Sequence, residues 1–418
     1  MHHFQYKNNE LHCEQVPIAR IAKAVGTPCY IYSYATLARH YRVFDEAFDG
    51  TSHLICFAMK ANSNLAVLRA LGKLGAGVDI VSGGELFRAL TAGVPPDRIV
   101  FSGVGKTREE MVYALKTGIL QINVESEGEL LALDQVAREK KVKAPVSIRV
   151  NPEINPRTHP YIATGLKKSK FGVPVAQSLK LYEKARRLSG IRIQGVSYHI
   201  GSQITTLAPF RDALKKVSEL VLTLRKRGFD IKNLDLGGGL GIPYKDEVPP
   251  PPKEYGKILQ KGLIHLGCRV LLEPGRVIVG NAGILVAKVL YRKDQPKRHF
   301  VIIDGAMNDL IRPALYGSYH EIVPVHRKQR RRMKVDVVGP ICESGDFFAE
   351  NRPLPVLEGG ELLAVMSAGA YGFVMSSNYN SRPRVPEVMV RGNEFFVVRQ
   401  REEARDLMKG EHVPKFLV

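Results

Sequence analysis

The stretch "HLICFAMKAN" (residues 53–62) is an apolar run that ends near a lysine, Lys60. Such a run is typical of a β-strand that is buried on both faces. Lysine is rarely buried without a partner, so its place at the end of this strand needs an explanation. Two explanations are open at this point. Either the stem packs while the amine reaches water, or the amine is desolvated and acts as a nucleophile.

Seven more runs of this kind follow along the chain, and each ends at a polar or glycine cluster. Segments with helical periodicity, such as "NLAVLRALGKLG" (64–75), separate most of them. This alternation is typical of a parallel sheet with crossover helices, and eight units predict a (β/α)8 TIM-type barrel, an α/β fold. An open doubly wound sheet is the alternative. The runs are 53–62, 77–85, 98–105, 119–126, 145–153, 193–202, 233–241 and 269–276.

After residue 280 the pattern changes to strand-like runs such as "HFVIIDGAM" (299–307), with few helical stretches. We therefore predict a barrel domain over residues 31–280 and a mainly β domain, a β-barrel or sandwich, over 281–418. Residues 1–30 are assigned to the β domain, because "FQYKNNELHCEQV" (4–16) predicts a hairpin with its turn at Asn8-Asn9.

The formal net charge is +20, and the densest basic run is "HRKQRRRMK" (326–334). A nucleic-acid site would interleave aromatic residues with the charges, and this run has none. We interpret it as a charged surface loop and expect no nucleic-acid partner.

The sequence also bears on the cellular compartment in which the protein is expected. No stretch of about 18 consecutive apolar residues occurs, so we expect no membrane partner. The first residues lack the apolar core of a signal peptide. The five cysteines are scattered without a C-x-x-C pair, which suits a reducing cytoplasm and predicts neither a disulfide framework nor a metal site.

A barrel carries its chemistry at the carboxyl ends of its strands. "DLGGGLG" (235–241) follows one strand, where glycines either form a tight turn or present N–H groups to a phosphate. "GVGKT" (103–107) resembles the end of a P-loop, but Val100 stands where the first glycine is required, so a nucleotide site is weakly supported. "EPGR" (273–276) is either a surface ion pair or part of a site, and His199 in "YHIGS" is either a core histidine or a functional one.

Together, an amine, a phosphate cradle, a carboxylate and an imidazole at one rim match one cofactor. Pyridoxal 5'-phosphate takes a lysine for its aldehyde, N–H donors for its phosphate and an acidic partner for its ring nitrogen. A histidine packs on the ring face.

At this point the sequence resembles the diaminopimelate decarboxylase family, over about residues 25–410. That family combines an alanine-racemase-type barrel with a C-terminal β domain. The motifs that carry the resemblance are "FAMKAN", "VDIVSGGEL", "TGLKKSKFG", "YHIGSQ", "DLGGGLGIPY", "EPGR", "DGAMNDLIRPALYGSYHEI", "GPICESGDF" and "AGAYGFVMSSNYNSRP".

The resemblance implies decarboxylation of meso-2,6-diaminopimelate to L-lysine and CO2, the last step of lysine biosynthesis. It implies that Lys60 forms the aldimine with pyridoxal 5'-phosphate and that Cys342 donates the proton. It also implies a homodimer with shared active sites, in which Cys342 and Glu343 serve the neighbouring subunit. The implied cofactor-binding residues are Lys60, His199, Ser202, Gly239, Glu273, Pro274, Gly275, Arg276 and Tyr371; the implied substrate-binding residues are Arg276, Arg312, Tyr316, Glu343 and Tyr371.

The residue types suit a substrate with two carboxylates and two ammonium groups. Arg276 and Arg312 can each bind a carboxylate in a bidentate manner, and Glu343 can pair with the distal ammonium. The alternatives are a decarboxylase for arginine, ornithine or carboxynorspermidine, a racemase, or a non-catalytic homologue. Ornithine has no distal carboxylate, so an enzyme for it would not need this arginine pair.

Overall fold

The structure is a computed structural model that describes residues 2–156, 158–159, 164–165 and 169–417. Residues 166–168 of the motif "TGLKKSKFG" (164–172) lie outside the described residues. The chain divides into two compact units. One comprises Leu37–Val279, and the other comprises Met1–Thr36 together with Gly280–Val418.

The N-terminal segment begins with the predicted hairpin. Asn8 and Asn9 both have positive φ angles, 49° and 64°, as a two-residue turn of this kind requires. A third strand, a helix and a strand follow before the helix that leads into the barrel. The elements are β1 (Phe4–Lys7), β2 (Glu10–Cys13), β3 (Val16–Pro17), α1 (Ile18–Val25), β4 (Cys29–Ser33) and α2 (Tyr34–Glu46).

The unit Leu37–Val279 contains β5 (His53–Ala58), β6 (Gly77–Ile80), β7 (Ile99–Phe101), β8 (Gln121–Val124), β9 (Ala144–Asn151), β10 (Val173–Pro174), β11 (Ile191–Tyr198), β12 (Asn233–Asp235) and β13 (Arg269–Leu272). Eight of these pair in parallel in the closed order β13-β5-β6-β7-β8-β9-β11-β12, and β10 pairs only with β9. Each of the eight overlaps one of the apolar runs of the sequence. The predicted TIM-type barrel is confirmed, and the open sheet is wrong.

Helices follow the strands, and their first residues explain where they begin. Ser82, Thr107 and Ser126 each accept a hydrogen bond from the backbone N–H three residues later, as helix-capping side chains do. Since each caps the helix right after a strand end, the caps also hold the loops at the barrel mouth. The helices are α3 (Leu65–Lys73), α4 (Gly83–Thr91), α5 (Arg108–Thr117), α6 (Glu127–Glu139), α7 (Val175–Arg186), α8 (Ala208–Lys226), α9 (Pro252–Leu263) and α10 (Arg276–Val279).

The C-terminal part is mainly β, as its strand-like runs predict. Its strands form a mixed sheet in the order β18-β17-β15-β14-β4-β20-β21, and β19 joins β14 to β16. Strand β4 therefore lies in the interior of this sheet, antiparallel to β14 and parallel to β20. The elements are β14 (Gly283–Asp294), β15 (His299–Ile303), α11 (Arg312–Tyr316), β16 (Ile322–Pro324), β17 (Arg332–Val338), β18 (Phe347–Pro355), β19 (Leu362–Val365), β20 (Glu387–Arg391), β21 (Glu394–Arg399) and α12 (Ala404–Leu407).

The basic run 326–334 joins β16 to β17 and continues into β17. Lys328 and Arg330 both pair with Glu361, at 2.7 Å and 2.9 Å, and Arg330 also pairs with Glu358. Part of its charge is thus compensated within the same unit. Within the described ranges, no helix combines the length and apolar character that crossing a bilayer takes.

We predict that Gly256→Ala destabilises the barrel although alanine favours helix formation by about 1 kcal/mol over glycine. A Cβ at this position of α9 would lie 2.0 Å from the carbonyl oxygen of Ala47, and a backbone atom cannot step aside as a side chain can. The clash should outweigh the propensity and cost about 1–3 kcal/mol. Urea unfolding would measure it.

The matched control is Gly128→Ala in α6, because a Cβ there meets no atom within 4 Å. Its free energy of unfolding should stay the same or rise. A Gly256→Ala protein as stable as the Gly128→Ala protein would contradict the prediction.

Candidate active site

Lys60 lies in a short 3-10 turn, Met59–Ala61, directly after β5. Its Nζ is 2.6 Å from Oδ2 of Asp79 on the adjacent strand β6, and the Lys60 side chain is 37% exposed while that of Asp79 is fully buried. The amine is therefore not simply reaching water. It is held at the barrel mouth by a buried carboxylate, with one side open to solvent.

Three carboxyl groups are buried near this lysine, those of Asp79, Asp235 and Glu273. Burial raises the pKa of Glu273 well above its usual range, and the negative charges of Asp235 and Asp79 raise it further. Burial also raises the pKa of Asp235, to about 6. Compared with an exposed glutamate, the carboxyl of Glu273 therefore holds its proton more strongly, and a cation placed beside it would favour its ionisation.

The glycine run 237–239 packs against the backbone of its neighbours. A Cβ would lie 2.6 Å from the Tyr198 carbonyl at Gly237, 2.1 Å from the Glu273 carbonyl at Gly238 and 2.4 Å from the Gly201 carbonyl at Gly239. Only glycine allows this close approach.

Two of the three glycine amides are already used within the chain. The N–H of Gly237 donates to Oδ1 of Asp235 at 3.0 Å, and that of Gly238 donates to Nδ1 of His199 at 3.1 Å. The run thus uses two of its N–H groups within the chain, whereas the sequence left open either a tight turn or N–H groups presented to a phosphate. It also orients the imidazole and the carboxylate.

His199 is a neutral imidazole in this arrangement. Because Nδ1 accepts from Gly238, the ring proton is assigned to Nε2. Burial, and then the positive charges of Arg149 and Lys60, lower the pKa of His199 well below its usual range. A neutral flat ring is suited to stacking on an aromatic group.

Arg276 is buried at the start of α10, and its guanidinium contacts the hydroxyl groups of Ser202 and Tyr244. Its Nη2 donates to Oγ of Ser202 at 3.1 Å, and its Nη1 donates to the hydroxyl of Tyr244 at 2.7 Å. Sequence reasoning missed Tyr244, although it ends the quoted motif "DLGGGLGIPY". The preceding Pro274 accepts from the N–H of Ala58, and a Cβ at Gly275 would lie 3.0 Å from that of Ala61, so this segment packs against the turn that carries Lys60.

These residues fit pyridoxal phosphate on their own chemistry. Lys60 offers an amine that is partly open to solvent, Glu273 offers a buried carboxyl group with a raised pKa, and His199 offers a neutral ring. Oδ1 of Asp79 is buried without a hydrogen-bond partner among the described residues, so the site contains an uncompensated polar atom next to the amine. Among those residues, no group of three or more His, Cys, Asp or Glu side chains is arranged to hold a metal ion.

Lys106 of "GVGKT" is structural in this chain. Its Nζ is buried and donates to the carbonyls of Gly103 and Asn123, both at 2.7 Å, and to Glu129 at 2.8 Å. Three acceptors satisfy an ammonium group completely. The resemblance to a P-loop therefore indicates no phosphate site.

Arg149 is a second residue that sequence reasoning missed. It lies in the apolar strand β9, and its Nη1 donates to Glu125 at 2.9 Å while its guanidinium lies 4.9 Å from the ring centre of Phe171. The sequence does contain a signal for Arg149, because a charged residue inside an apolar strand is unusual for the same reason as Lys60.

In the other unit, Arg312 is buried at the start of α11. Its Nη1 donates to Nε2 of His320 at 2.7 Å, and Nη2 donates to Oγ of Ser318. Nδ1 of His320 donates to the carbonyl of Met366 at 2.8 Å, which leaves Nε2 as the acceptor. Tyr316 lies four residues after Arg312, on the same face of α11.

Cys342 and Glu343 are exposed on the loop between β17 and β18. Asp346 holds the base of this loop, accepting from the N–H of Ile341 and from that of Met307, both at 2.7 Å. Tyr371 has φ 56°, a left-handed backbone that is uncommon for a bulky residue and clusters at functional sites.

The structure thus places the predicted residues in two sets. One set lies at the carboxyl ends of the barrel strands and comprises Lys60, His199, Ser202, Gly239, Glu273, Pro274, Gly275 and Arg276. The other belongs to the β unit and comprises Arg312, Tyr316, Cys342, Glu343 and Tyr371.

Comparisons with known proteins agree on one family. The family of pyridoxal-dependent decarboxylases matches residues 34–280 with its pyridoxal-binding domain. The chain is 51% identical over 415 residues to the diaminopimelate decarboxylase of Vibrio cholerae, covering 99% of each protein.

Solved structures give the same picture. The diaminopimelate decarboxylase of Helicobacter pylori complexed with L-lysine is 41% identical, with a TM-score of 0.91, over 94% of this chain and 98% of that one. The enzyme of M. jannaschii in co-complex with L-lysine is 38% identical, with a TM-score of 0.95, over 99% of each chain.

A pH prediction follows from Glu85, whose pKa burial raises to about 7. In the unfolded chain a glutamate has a pKa of about 4.3. Between about pH 4.5 and 7 the folded protein therefore holds a proton that the unfolded chain has released, so the free energy of unfolding falls as pH rises through this window. We expect Glu85→Gln to flatten this fall in the cofactor-free protein.

The measurement is the urea midpoint at intervals from pH 5 to 7. Asp97→Asn, at an exposed position before β7, serves as the control and should keep the wild-type slope. An unchanged slope in Glu85→Gln would show that Glu85 does not titrate in this window.

Proposed function

Since this chain belongs to the diaminopimelate decarboxylase family of pyridoxal-dependent decarboxylases, we propose that it converts meso-2,6-diaminopimelate to L-lysine and CO2, the last step of lysine biosynthesis. The observation that carries this proposal is the arrangement of Lys60, Asp79 and Glu273 on the adjacent strand ends of β5, β6 and β13. The cofactor is pyridoxal 5'-phosphate.

Bound pyridoxal phosphate supplies an electron sink for the electron pair that remains when a carboxylate leaves as CO2. Lys60 would hold it through Nζ, and Asp79 keeps that amine in place when it is free. The carboxyl of Glu273 would be the acidic partner of the ring nitrogen, and as a carboxylate it would keep that nitrogen protonated. His199 would pack on the ring, while Gly239, Ser202 and the segment 274–276 would complete the binding site.

The substrate carries a carboxylate and an ammonium group at each end, so its recognition needs both signs of charge. We propose that Arg276 and Arg312 bind the carboxylates and that Glu343 pairs with the distal ammonium. Tyr316 and Tyr371 would contact the substrate, and Tyr371 the cofactor as well. Buried Arg312 donates from Nη1 to Nε2 of His320 at 2.7 Å, which fixes the direction of its guanidinium. A pair of arginines suits a substrate with a distal carboxylate better than ornithine, which has none.

Cys342 is proposed as the acid that protonates the substrate carbon after CO2 has left. A thiol is one of the side-chain groups that serve as general acids, and Sγ–H of Cys342 would supply the proton. Of the five cysteines, Cys342 is the exposed one and the other four are buried.

We further propose that the enzyme acts as a homodimer in the cytoplasm. Cys342 and Glu343 are exposed in the single chain, which suits residues that complete the site of a neighbouring subunit. All five cysteines are free thiols, as a reducing compartment maintains them. The two compact units would then correspond to a cofactor-binding domain and a substrate-binding domain.

We predict that Lys60→Ala abolishes the visible absorbance of protein-bound pyridoxal phosphate. After borohydride reduction, mass spectrometry should find the cofactor on the peptide that contains residue 60 in the wild-type protein and not in the variant. Lys73→Ala, at an exposed position on α3, is the control and should label as the wild type does. A visible band retained by Lys60→Ala would remove the central assignment.

We predict that Cys342→Ala binds the cofactor but turns over far more slowly.

Mixed dimers of Lys60→Ala and Cys342→Ala test the shared site, because each mixed dimer then has one site with both residues intact. Random mixing of the two inactive proteins should restore about one quarter of wild-type activity, since half of the dimers are mixed. No restoration in mixed dimers would show that each subunit uses its own Cys342.

A further inference from the structure

Two consecutive residues of the segment "NYN" (378–380) hold the two consecutive residues of the exposed loop tip. Oδ1 of Asn380 accepts from the backbone N–H of Cys342 at 3.1 Å. The hydroxyl of Tyr379 donates to Oε2 of Glu343 at 2.9 Å. One contact fixes the backbone that carries the thiol, and the other fixes the direction of the carboxylate.

The segment itself has an unusual backbone. Asn380 has φ 56° and ψ 31°, and the next residue, Ser381, has φ 52°. A left-handed conformation at two successive non-glycine residues costs free energy, so other contacts must hold it. Asparagine is one of the residues that adopts it most readily.

Those contacts come from the flanks of the segment. Nδ2 of Asn378 donates to the carbonyl of Arg382 at 3.0 Å and to Glu402 at 2.7 Å, which closes the turn. Nε of Arg382 donates to Oδ1 of Asn308, and the N–H of Ser377 donates to the carbonyl of Asn308 at 3.0 Å. The turn is therefore fixed before it meets the loop.

The loop is held at its base by the side chain of Asp346 and turned at its tip by two backbone hydrogen bonds, from the Glu343 N–H to the Ile341 carbonyl and from the Asp346 N–H to the Glu343 carbonyl. Asp346 binds the N–H of Ile341, one residue before the thiol, while positions 342–344 are exposed. Exposed loop tips are the more mobile parts of a fold. The segment 378–380 adds side-chain contacts at Cys342 and Glu343, directly after the residue whose N–H the Asp346 side chain binds.

We infer that Tyr379 and Asn380 are positioning residues for the reaction. Asn380 places the Cys342 thiol, and Tyr379 orients the Glu343 carboxylate toward the distal ammonium. This inference rests on the roles of Cys342 and Glu343 in the proposed function.

The first test is Tyr379→Phe, which removes only the hydroxyl. Glu343 is proposed to bind a part of the substrate that does not react. A poorly oriented Glu343 should therefore weaken the binding of the substrate and of the transition state equally. We expect KM for meso-2,6-diaminopimelate to rise about fivefold to tenfold with kcat nearly unchanged. Tyr291→Phe, at an exposed tyrosine of β14, is the control and should keep the wild-type KM.

The second test is Asn380→Gly. Glycine keeps the left-handed backbone and removes the amide acceptor, so the side chain is tested apart from the turn. We expect kcat to fall about tenfold with a smaller change in KM. Asn351→Gly is the matched control, because Asn351 is also left-handed, with φ 48°, and exposed in the same unit.

A readout without turnover separates positioning from general damage. In Asn380→Gly, hydrogen exchange of the Cys342 amide should accelerate, and the rate of iodoacetamide labelling at Cys342 should change by twofold or more. The other four cysteines are buried, so labelling reports on this thiol. The Asn351→Gly protein should match the wild type in both measurements.

Two further variants distinguish the possible failures. If Cys342→Ala and Glu343→Ala keep wild-type kinetics, the proposed roles of those residues are wrong, while amide exchange still tests the contact. If they lose activity but Tyr379→Phe and Asn380→Gly behave like their controls, the inference is overturned. In the Glu343→Ala background, Tyr379→Phe should add no further rise in KM, and an additive rise would also overturn it.

Discussion

Three buried carboxyl groups at one barrel rim are the constraint on which this site depends. Burial penalises the negative charges of Asp235 and Glu273, and the neighbouring carboxylates penalise that of Glu273 further. The chain offsets part of this cost with one ammonium group, that of Lys60, which lies 2.6 Å from Oδ2 of Asp79. The charges of the Lys60 amine and of these carboxyl groups thus depend on one another, and they are in place before the cofactor binds.

The sequence predicts much of the barrel and less of the contacts inside it. Each of the eight apolar runs forms a barrel strand. A strand that is buried on both faces has a nearly continuous apolar sequence, which can be recognised without knowing the neighbouring strands. The hairpin with its turn at Asn8-Asn9 is likewise predicted from neighbouring residues alone. The use of glycine amides by Asp235 and His199, and the role of Lys106 as a buried structural cation, depend on strands that meet only in the fold. Local sequence cannot specify those distances.

The missed residues share one physical cause. Tyr244 and His320 act through arginines, whose side chains need acceptors or partners fixed by the surrounding fold. Arg149 is different, since its charge stands in a buried strand and could have been singled out. Residues that orient other residues carry no chemical signature of their own, whereas a nucleophile or an acid at a strand end does. Residues that orient other residues are therefore found from the structure rather than from the sequence.

Strand β4 has a consequence for how the chain is made. It ends at residue 33, yet its two neighbours, β14 and β20, begin at residues 283 and 387. On the ribosome, its two hydrogen-bonding edges have no partners while the entire barrel is synthesised. The β sheet is completed only when the last part of the chain emerges, so premature termination before residue 387 leaves an open, aggregation-prone strand. The folding of this protein in the cell is thereby tied to the completion of its translation.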